Sequence, residues 1–281
     1  MDLLNKENIT NLIEIALKED VSSGDVTTNA LIPESSMAKA TLTAKADGVI
    51  AGLPVAEMVF KHLYPETKWL EHVKEGDFVK KGDLIASVES SFRVLLIGER
   101  LALNFLQRMS GIASETNKYV KELDGFNTQL LDTRKTVPCL RLLDKYSVKT
   151  GGGTNHRIGL FDLAMIKDNH IKIAGGIINA VKQVRANIPS DIKIEVETTN
   201  LEEVKLALEA GADIIMLDNM TNEEMKEAVD TIGDKAKTEA SGNMSIPRLK
   251  GVAATGVNFI SVGALTHSVC ALDISMNISI K

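Results

Sequence analysis

The feature that most restricts the fold of this chain is a period of about 22 residues in its second half. Short apolar runs ending in polar residues (IKIEVETT, DIIMLDNM, KTEASGN, FISVGAL) place Glu197 and Asp218 21 residues apart, Asp218 and Ser241 23 apart, and Ser241 and Gly263 22 apart. Between them, LEEVKLALEAGA, NEEMKEAVDTIG and SIPRLKGVAATG carry apolar residues at helical spacing. One strand and one helix per period make a β-α unit, and apolar strands alternating with amphipathic helices are how a covered parallel sheet reads in sequence. Residues 111–267 have room for about seven such units, short of the roughly 250 residues of a complete eight-unit barrel. The expected fold class is therefore α/β, a short and incompletely closed β/α barrel of about seven parallel strands.

The first 110 residues read differently. Ile9–Lys18 has helical spacing, DVSSGDVTT is a polar loop, and from Ala38 to Ser91 the period falls to two, with turns at Gly76-Asp77 and Gly82-Asp83. A helix around Val55–Leu63 interrupts this stretch, and Arg93–Met109 reads as a long helix. We expect an N-terminal α+β domain over 1–110, joined by the C-terminal segment 268–281, and a barrel domain over 111–267.

Composition narrows the function. A net charge of −6 and 4% aromatic residues argue against a nucleic-acid partner. No apolar run approaches 18 residues, so no membrane span is expected. The N-terminus lacks the apolar core of a signal peptide, and Cys139 and Cys270 form no CxxC pair, so the expected location is a reducing cytoplasm.

A β/α barrel gathers its chemistry at the C-terminal ends of its strands. Here these ends carry Asp132, Thr133, Arg134 and Lys135; Lys167, Asp168, Asn169 and His170; Glu197; Asp218 and Asn219; Ser241, Gly242 and Asn243; and Gly263 with Ala264. Charge is unevenly spread: residues 130–172 hold eight Lys+Arg against four Asp, a local +4 in an acidic protein. Cations at neighbouring strand ends suit an anionic substrate, and arginine adds bidentate geometry for carboxylate or phosphate. The competing reading is a solvated charged face. In KTGGGTNHR, the three glycines make either a tight turn or, with Thr154 to Arg157, an anion-binding loop. Glu197 and Asp218 suit magnesium held directly or through water, stabilisation of a developing positive charge, or ion pairing with Lys167 or Lys135; Glu195 shares the parity of Glu197. Ser241–Asn243 and Gly263–Ala264 fall where the last strands of many barrels bind phosphate through backbone N–H groups.

The stretch Leu131–Ile171, with KEDVSSGDVTT near the start, ERLALNFLQRMSGIAS, EVE, MLDN, EASGN and SVGALTHS in order, resembles the quinolinate phosphoribosyltransferase family over nearly the whole chain. The resemblance implies transfer of phosphoribose from phosphoribosyl pyrophosphate to quinolinate, with loss of carbon dioxide and pyrophosphate, giving nicotinate mononucleotide for NAD synthesis. It implies that Arg134, His156, Arg157 and Lys167 hold the quinolinate carboxylates, with Arg100 supplied by the neighbouring subunit of a homodimer, and leaves further pairing into a hexamer open. Thr133, Lys135, Glu197, Asp218, Ser241, Gly242, Asn243, Gly263 and Ala264 would hold phosphoribosyl pyrophosphate. Lys135, Glu197 and Asp218 would be catalytic, with Mg2+ on Glu197 and Asp218 and no organic cofactor. Cys139 departs from a glycine common in relatives, and Val269-Cys270 from Ala-Pro. Three rivals remain: a lipoyl-type carrier hairpin at KEGDFVKKGDLIASVES, a Schiff-base aldolase using Lys167, and a molybdate-associated relative with another acceptor.

Overall fold

The structure is a computed structural model and describes residues 3–280. Contacts divide the chain into two compact units. The first holds the described residues up to Asn117, Leu142–Gly152 and the residues from Val269 on; the second holds Lys118–Arg141 and Gly153–Ser268.

The chain opens with α1 (Lys6–Asp20), α2 (Val26–Leu31), β1 (Met37–Ala44), β2 (Gly48–Val49), α3 (Leu53–Leu63), β3 (Lys68–Glu71), β4 (Phe78–Val79), β5 (Leu84–Ser91) and α4 (Phe92–Glu122). The Asn5 side chain caps α1 by accepting from the amides of Glu7 and Asn8. In β1 the period-two pattern buries Ala38, Ala40, Leu42 and Ala44 on one face, and the strand lies between β5 and β12 (Ile274–Ile280) in the antiparallel order β12-β1-β5-β3. The C-terminal strand thus completes the sheet of the first unit.

Helix α4 runs 31 residues, to Glu122, well past the Met109 end expected from the apolar spacing. The extension is hidden in sequence by Ser110, Ser114 and Thr116, all poor helix markers. Two of their hydroxyls bond instead to the β2 segment: the Ala51 amide donates to Ser110 Oγ at 3.0 Å and the Val49 amide to Ser114 Oγ at 2.8 Å. Helix α5 (Arg141–Thr150) also belongs to the first unit, although its sequence lies within 111–267. Its spacing marks an apolar face but does not say which unit covers it. There Asp144, fully buried, accepts from Arg108 Nε at 3.0 Å and Nη2 at 2.8 Å.

The second unit continues through β6 (Gln129–Leu131), β7 (Ala164–Ile166), α6 (Asp168–Ala174), α7 (Ile177–Asn187), β8 (Ile194–Thr198), α8 (Leu201–Glu209), β9 (Ile214–Asp218), α9 (Asn222–Ile232), β10 (Lys237–Ser241), α10 (Ile246–Ala253), β11 (Phe259–Ser261) and α11 (Ala264–His267). Six strands form one parallel sheet in the order β6-β11-β10-β9-β8-β7. A seventh stave is reduced to one parallel bridge, Thr154 to Leu131 on the free side of β6. The expected seven units are present as six strands and a bridge, and no ladder joins Thr154 to β7, so the sheet does not close. Repeated caps hold the helices in register with the strands. In α9, for instance, Thr221 and Glu224 form a reciprocal capping box.

Candidate active site

Parallel strands all present their C-terminal ends on one side, and in the second unit these ends line one cavity of about 820 Å³. Of the residues proposed from sequence, Thr133, Arg134, Lys135, His156, Arg157, Lys167, Glu197, Asp218, Ser241, Gly242, Asn243, Gly263 and Ala264 all line it. Arg100 does not; it is exposed on α4 of the first unit. Asn219 lines the cavity as well, whereas Asp132, Asp168, Asn169 and His170 do not.

The strand-end residues outside the cavity support it. Asp132 is fully buried, accepting from Asn155 Nδ2 at 2.7 Å and the His156 amide at 2.9 Å, and so fixes the loop that delivers His156 and Arg157. His170 Nδ1 accepts from the Lys167 amide at 3.0 Å and closes the first turn of α6. Gly151 is required by packing: a Cβ there would stand 2.4 Å from the Ala113 carbonyl oxygen, so only glycine permits the approach of that turn to α4. Cys139 sits at φ 66°, in the left-handed region that favours glycine.

Arg134, Lys135, Arg157 and Lys167 line the cavity together with the carboxylates of Glu197, Asp218 and Glu239. Lys167 pairs with Glu197, as the ion-pair reading of Glu197 required. Arg157 is held below the usual arginine range first by burial and then by the charge of Arg134 beside it. Arg134 Nε is buried and has no hydrogen-bond partner. Two adjacent guanidiniums, one with an orphaned donor, describe a place for an anion.

Sequence reading missed Glu239 and the depth of Glu195. Inward positions of barrel strands are ordinarily apolar. Here Glu195 on β8 and Glu239 on β10 both point inward, exposed by 0% and 1%, with His156 Nε2 at 3.1 and 3.2 Å from their Oε2 atoms. Burial pulls the imidazole pKa down, but hydrogen bonds to both carboxylates and their charge lift it to about 10. Burial and the neighbouring Glu239 raise Glu195. His156 Nδ1 accepts the Arg157 amide at 2.7 Å, a bond that requires a lone pair there and leaves the proton on Nε2, facing the carboxylates. Although these three groups converge closely enough to hold a metal, the Nε2 proton makes that nitrogen a donor rather than a ligand. His156 also lines the cavity, with the Arg157 amide at Nδ1 and the two carboxylates beside Nε2.

Met165, Met216, Met244, Ser261 and His267 also line the cavity and were not singled out in sequence. Met165 and Met216 lie among apolar strand residues that periodicity reads as core.

Comparison with known proteins agrees with this geometry. Residues 25–110 match the family model for the quinolinate phosphoribosyl transferase N-terminal domain and residues 112–277 that for its C-terminal domain. The chain is 41% identical, over 99% of its length and 96% of the relative's, to the probable nicotinate-nucleotide pyrophosphorylase [carboxylating] of Bacillus subtilis. It is 46% identical, over 95% of its length and 76% of the relative's, to the chloroplastic nicotinate-nucleotide pyrophosphorylase [carboxylating] of Oryza sativa. The crystal structure of NadC from Streptococcus pyogenes superimposes with a TM-score of 0.96 at 42% identity, covering 99% of both chains. With both family domains matched end to end and a cation-lined cavity at the strand ends, the chain belongs to the quinolinate phosphoribosyltransferase family.

Proposed function

We propose that this protein transfers phosphoribose from phosphoribosyl pyrophosphate to quinolinate and decarboxylates the product, giving nicotinate mononucleotide, pyrophosphate and carbon dioxide for NAD synthesis. The observation that carries the reading is the Arg134–Arg157 pair with its orphaned Nε, joined in the same cavity by Lys135 and Lys167. Both substrates are polyanions, and each relieves cation repulsion as it binds.

Arg134, Arg157 and Lys167 take the two quinolinate carboxylates, with His156 fixing Arg157 through its amide. Thr133, Lys135, Ser241–Asn243, Gly263 and Ala264 take the phosphoribosyl group and its phosphate. As the bond from ribose to pyrophosphate breaks, positive charge develops on the sugar, and Glu197 and Asp218 stabilise it. Lys135 faces the charge gathering on pyrophosphate. Once the ring nitrogen is ribosylated it accepts the electron pair released when the adjacent carboxyl leaves as carbon dioxide, and a proton takes the vacated position. Glu197 and Asp218, carboxylates on adjacent strands, are hard oxygen donors of the kind Mg2+ uses with substrate phosphates, and the ion would neutralise the leaving group. This chemistry needs no organic cofactor, because the ribosylated ring nitrogen is itself the electron sink for decarboxylation.

Arg100, exposed on α4, serves the partner's site in a homodimer, with assembly of dimers into a hexamer compatible. No helix among the described residues is long and apolar enough to cross a membrane, and both cysteines are free, in keeping with a cytoplasmic location.

Incubation with Mg2+, phosphoribosyl pyrophosphate and quinolinate should release pyrophosphate and nicotinate mononucleotide; absence of product would overturn the reading, and product from another acceptor alone would favour the molybdate-associated alternative. Glu197→Ala should lower kcat by about 10- to 100-fold with little change in either KM, since its charge matters most in the transition state. Mixing Arg100→Ala subunits with Glu197→Ala subunits, each impaired alone, should raise activity above that of either by subunit exchange. Mixtures no more active than their components would place Arg100 outside the shared site.

A further inference from the structure

We infer that Asn219 is a positioning residue that locks the ends of β9 and β10 together and thereby presets Asp218 for the phosphoribosyl group; the inference rests on the functional reading above. Three residues at these two strand ends lie in the left-handed region: Asn219 at φ 57°, Gly242 at φ 93° and Asn243 at φ 50°. Side-chain amides bind them into one unit. Asn219 Nδ2 donates to Asp218 Oδ2 at 2.7 Å, Asn219 Oδ1 accepts from Asn243 Nδ2 at 3.2 Å, and the Asn219 amide donates to the Ser241 carbonyl at 3.0 Å.

The fit is tight enough to dictate a neighbour. A Cβ on Gly242 would stand 2.2 Å from Asn219 Oδ1, so the amide occupies the space that any other residue at 242 would need. Behind it, Arg248 of α10 donates to the carbonyls of Gly242 at 2.9 Å and Met220 at 2.7 Å, tying both turns to one guanidinium. Asp218 and Ser241 are register partners across the ladder, so Asn219 spans the carboxylate end and the small-residue end of a single substrate subsite. An asparagine is also a common occupant of left-handed turns for backbone reasons alone. Glycine separates the two roles, because it meets the backbone need and lacks the amide.

The experiment compares wild type with Asn219→Gly, Asn219→Asp and Gly242→Ala. Asn219→Gly should keep its thermal midpoint, raise KM for phosphoribosyl pyrophosphate by about tenfold through loss of a hydrogen bond to a charged group, and leave KM for quinolinate unchanged. Calorimetric titration with ribose 5-phosphate in the absence of metal should show a similar loss of affinity. Asn219→Asp, which sets a second carboxylate against Asp218, should bind ribose 5-phosphate more weakly than Asn219→Gly, and Gly242→Ala should show the same selectivity by displacing the amide. Asn219→Gly binding ribose 5-phosphate as wild type does, or losing both substrates equally, would overturn the inference. Failure of wild type to form nicotinate mononucleotide would instead count against the function, and the calorimetric arm would still decide the role of Asn219.

Discussion

Arg157→Ala is expected to raise KM for quinolinate by roughly 100-fold, the equivalent of about 3 kcal/mol, while KM for phosphoribosyl pyrophosphate stays nearly constant. Arg157 is half-buried and oriented before any ligand arrives: Nη1 donates to the Leu163 carbonyl at 3.1 Å, Nη2 lies 3.5 Å from Met165 Sδ, and its amide is held by His156. In the free protein its charge is opposed by burial and by Arg134, which favours the bound dicarboxylate relative to the empty cavity. Removing the side chain takes away the attraction and also relieves Arg134, so stability should change little although binding fails. Arg157→Lys keeps the charge and loses the planar fork, and should fall between, at about tenfold. Steady-state kinetics with each substrate varied in turn tests both, and an equal rise in the two KM values would make Arg157 a scaffold residue.

The strand ends were legible because a parallel sheet imposes them: once IKIEVE, IIMLD and KTEAS are strands, Glu197, Asp218 and Ser241 must share one end whatever the details. What could not be read was anything depending on depth or on a distant partner. Glu195 had the parity of Glu197, but that it lies deep enough to be fully buried follows only from the register with β9. Glu239 sits in KTEAS, whose polar composition reads as a strand end; its pairing with Met216 puts it inside instead. A charged residue at an inward position of a strand was the signal available for both. Gly151 shows the converse. Its position in a glycine run beside His156 and Arg157 suggested a ligand, and the close approach of the Ala113 carbonyl shows packing. The continuation of α4 was hidden because serine hydroxyls that look like helix breakers are satisfied by β2, 60 or so residues earlier in the chain.

The buried cluster gives the largest effect expected on stability: His156→Ala should destabilise the protein by about 3–5 kcal/mol at pH 8, because it strands two carboxylates inside the barrel with no donor between them. The sign of the pH dependence follows from the direction of the shifts. Glu195 has a folded pKa raised above its unfolded value, so its contribution to stability is complete below about pH 4.5 and is lost as pH rises through about 7. The raised pKa of His156 acts in the same sense over a higher window, from 6.5 to about 10. Wild type should therefore lose stability gradually from mildly acidic to alkaline pH. His156→Ala should lose it more steeply through neutrality and recover near pH 5, where Glu195, raised by burial, is a neutral acid. Adding Glu195→Gln to His156→Ala replaces one stranded charge by a neutral amide of the same shape, and should restore most of the loss at pH 8 while changing little at pH 5. Denaturant midpoints across pH 5–9 for the single and double variants measure this directly. If His156→Ala cost the same at both ends of that range, the carboxylates would not be the origin of the loss, and the cluster would matter for its packing alone.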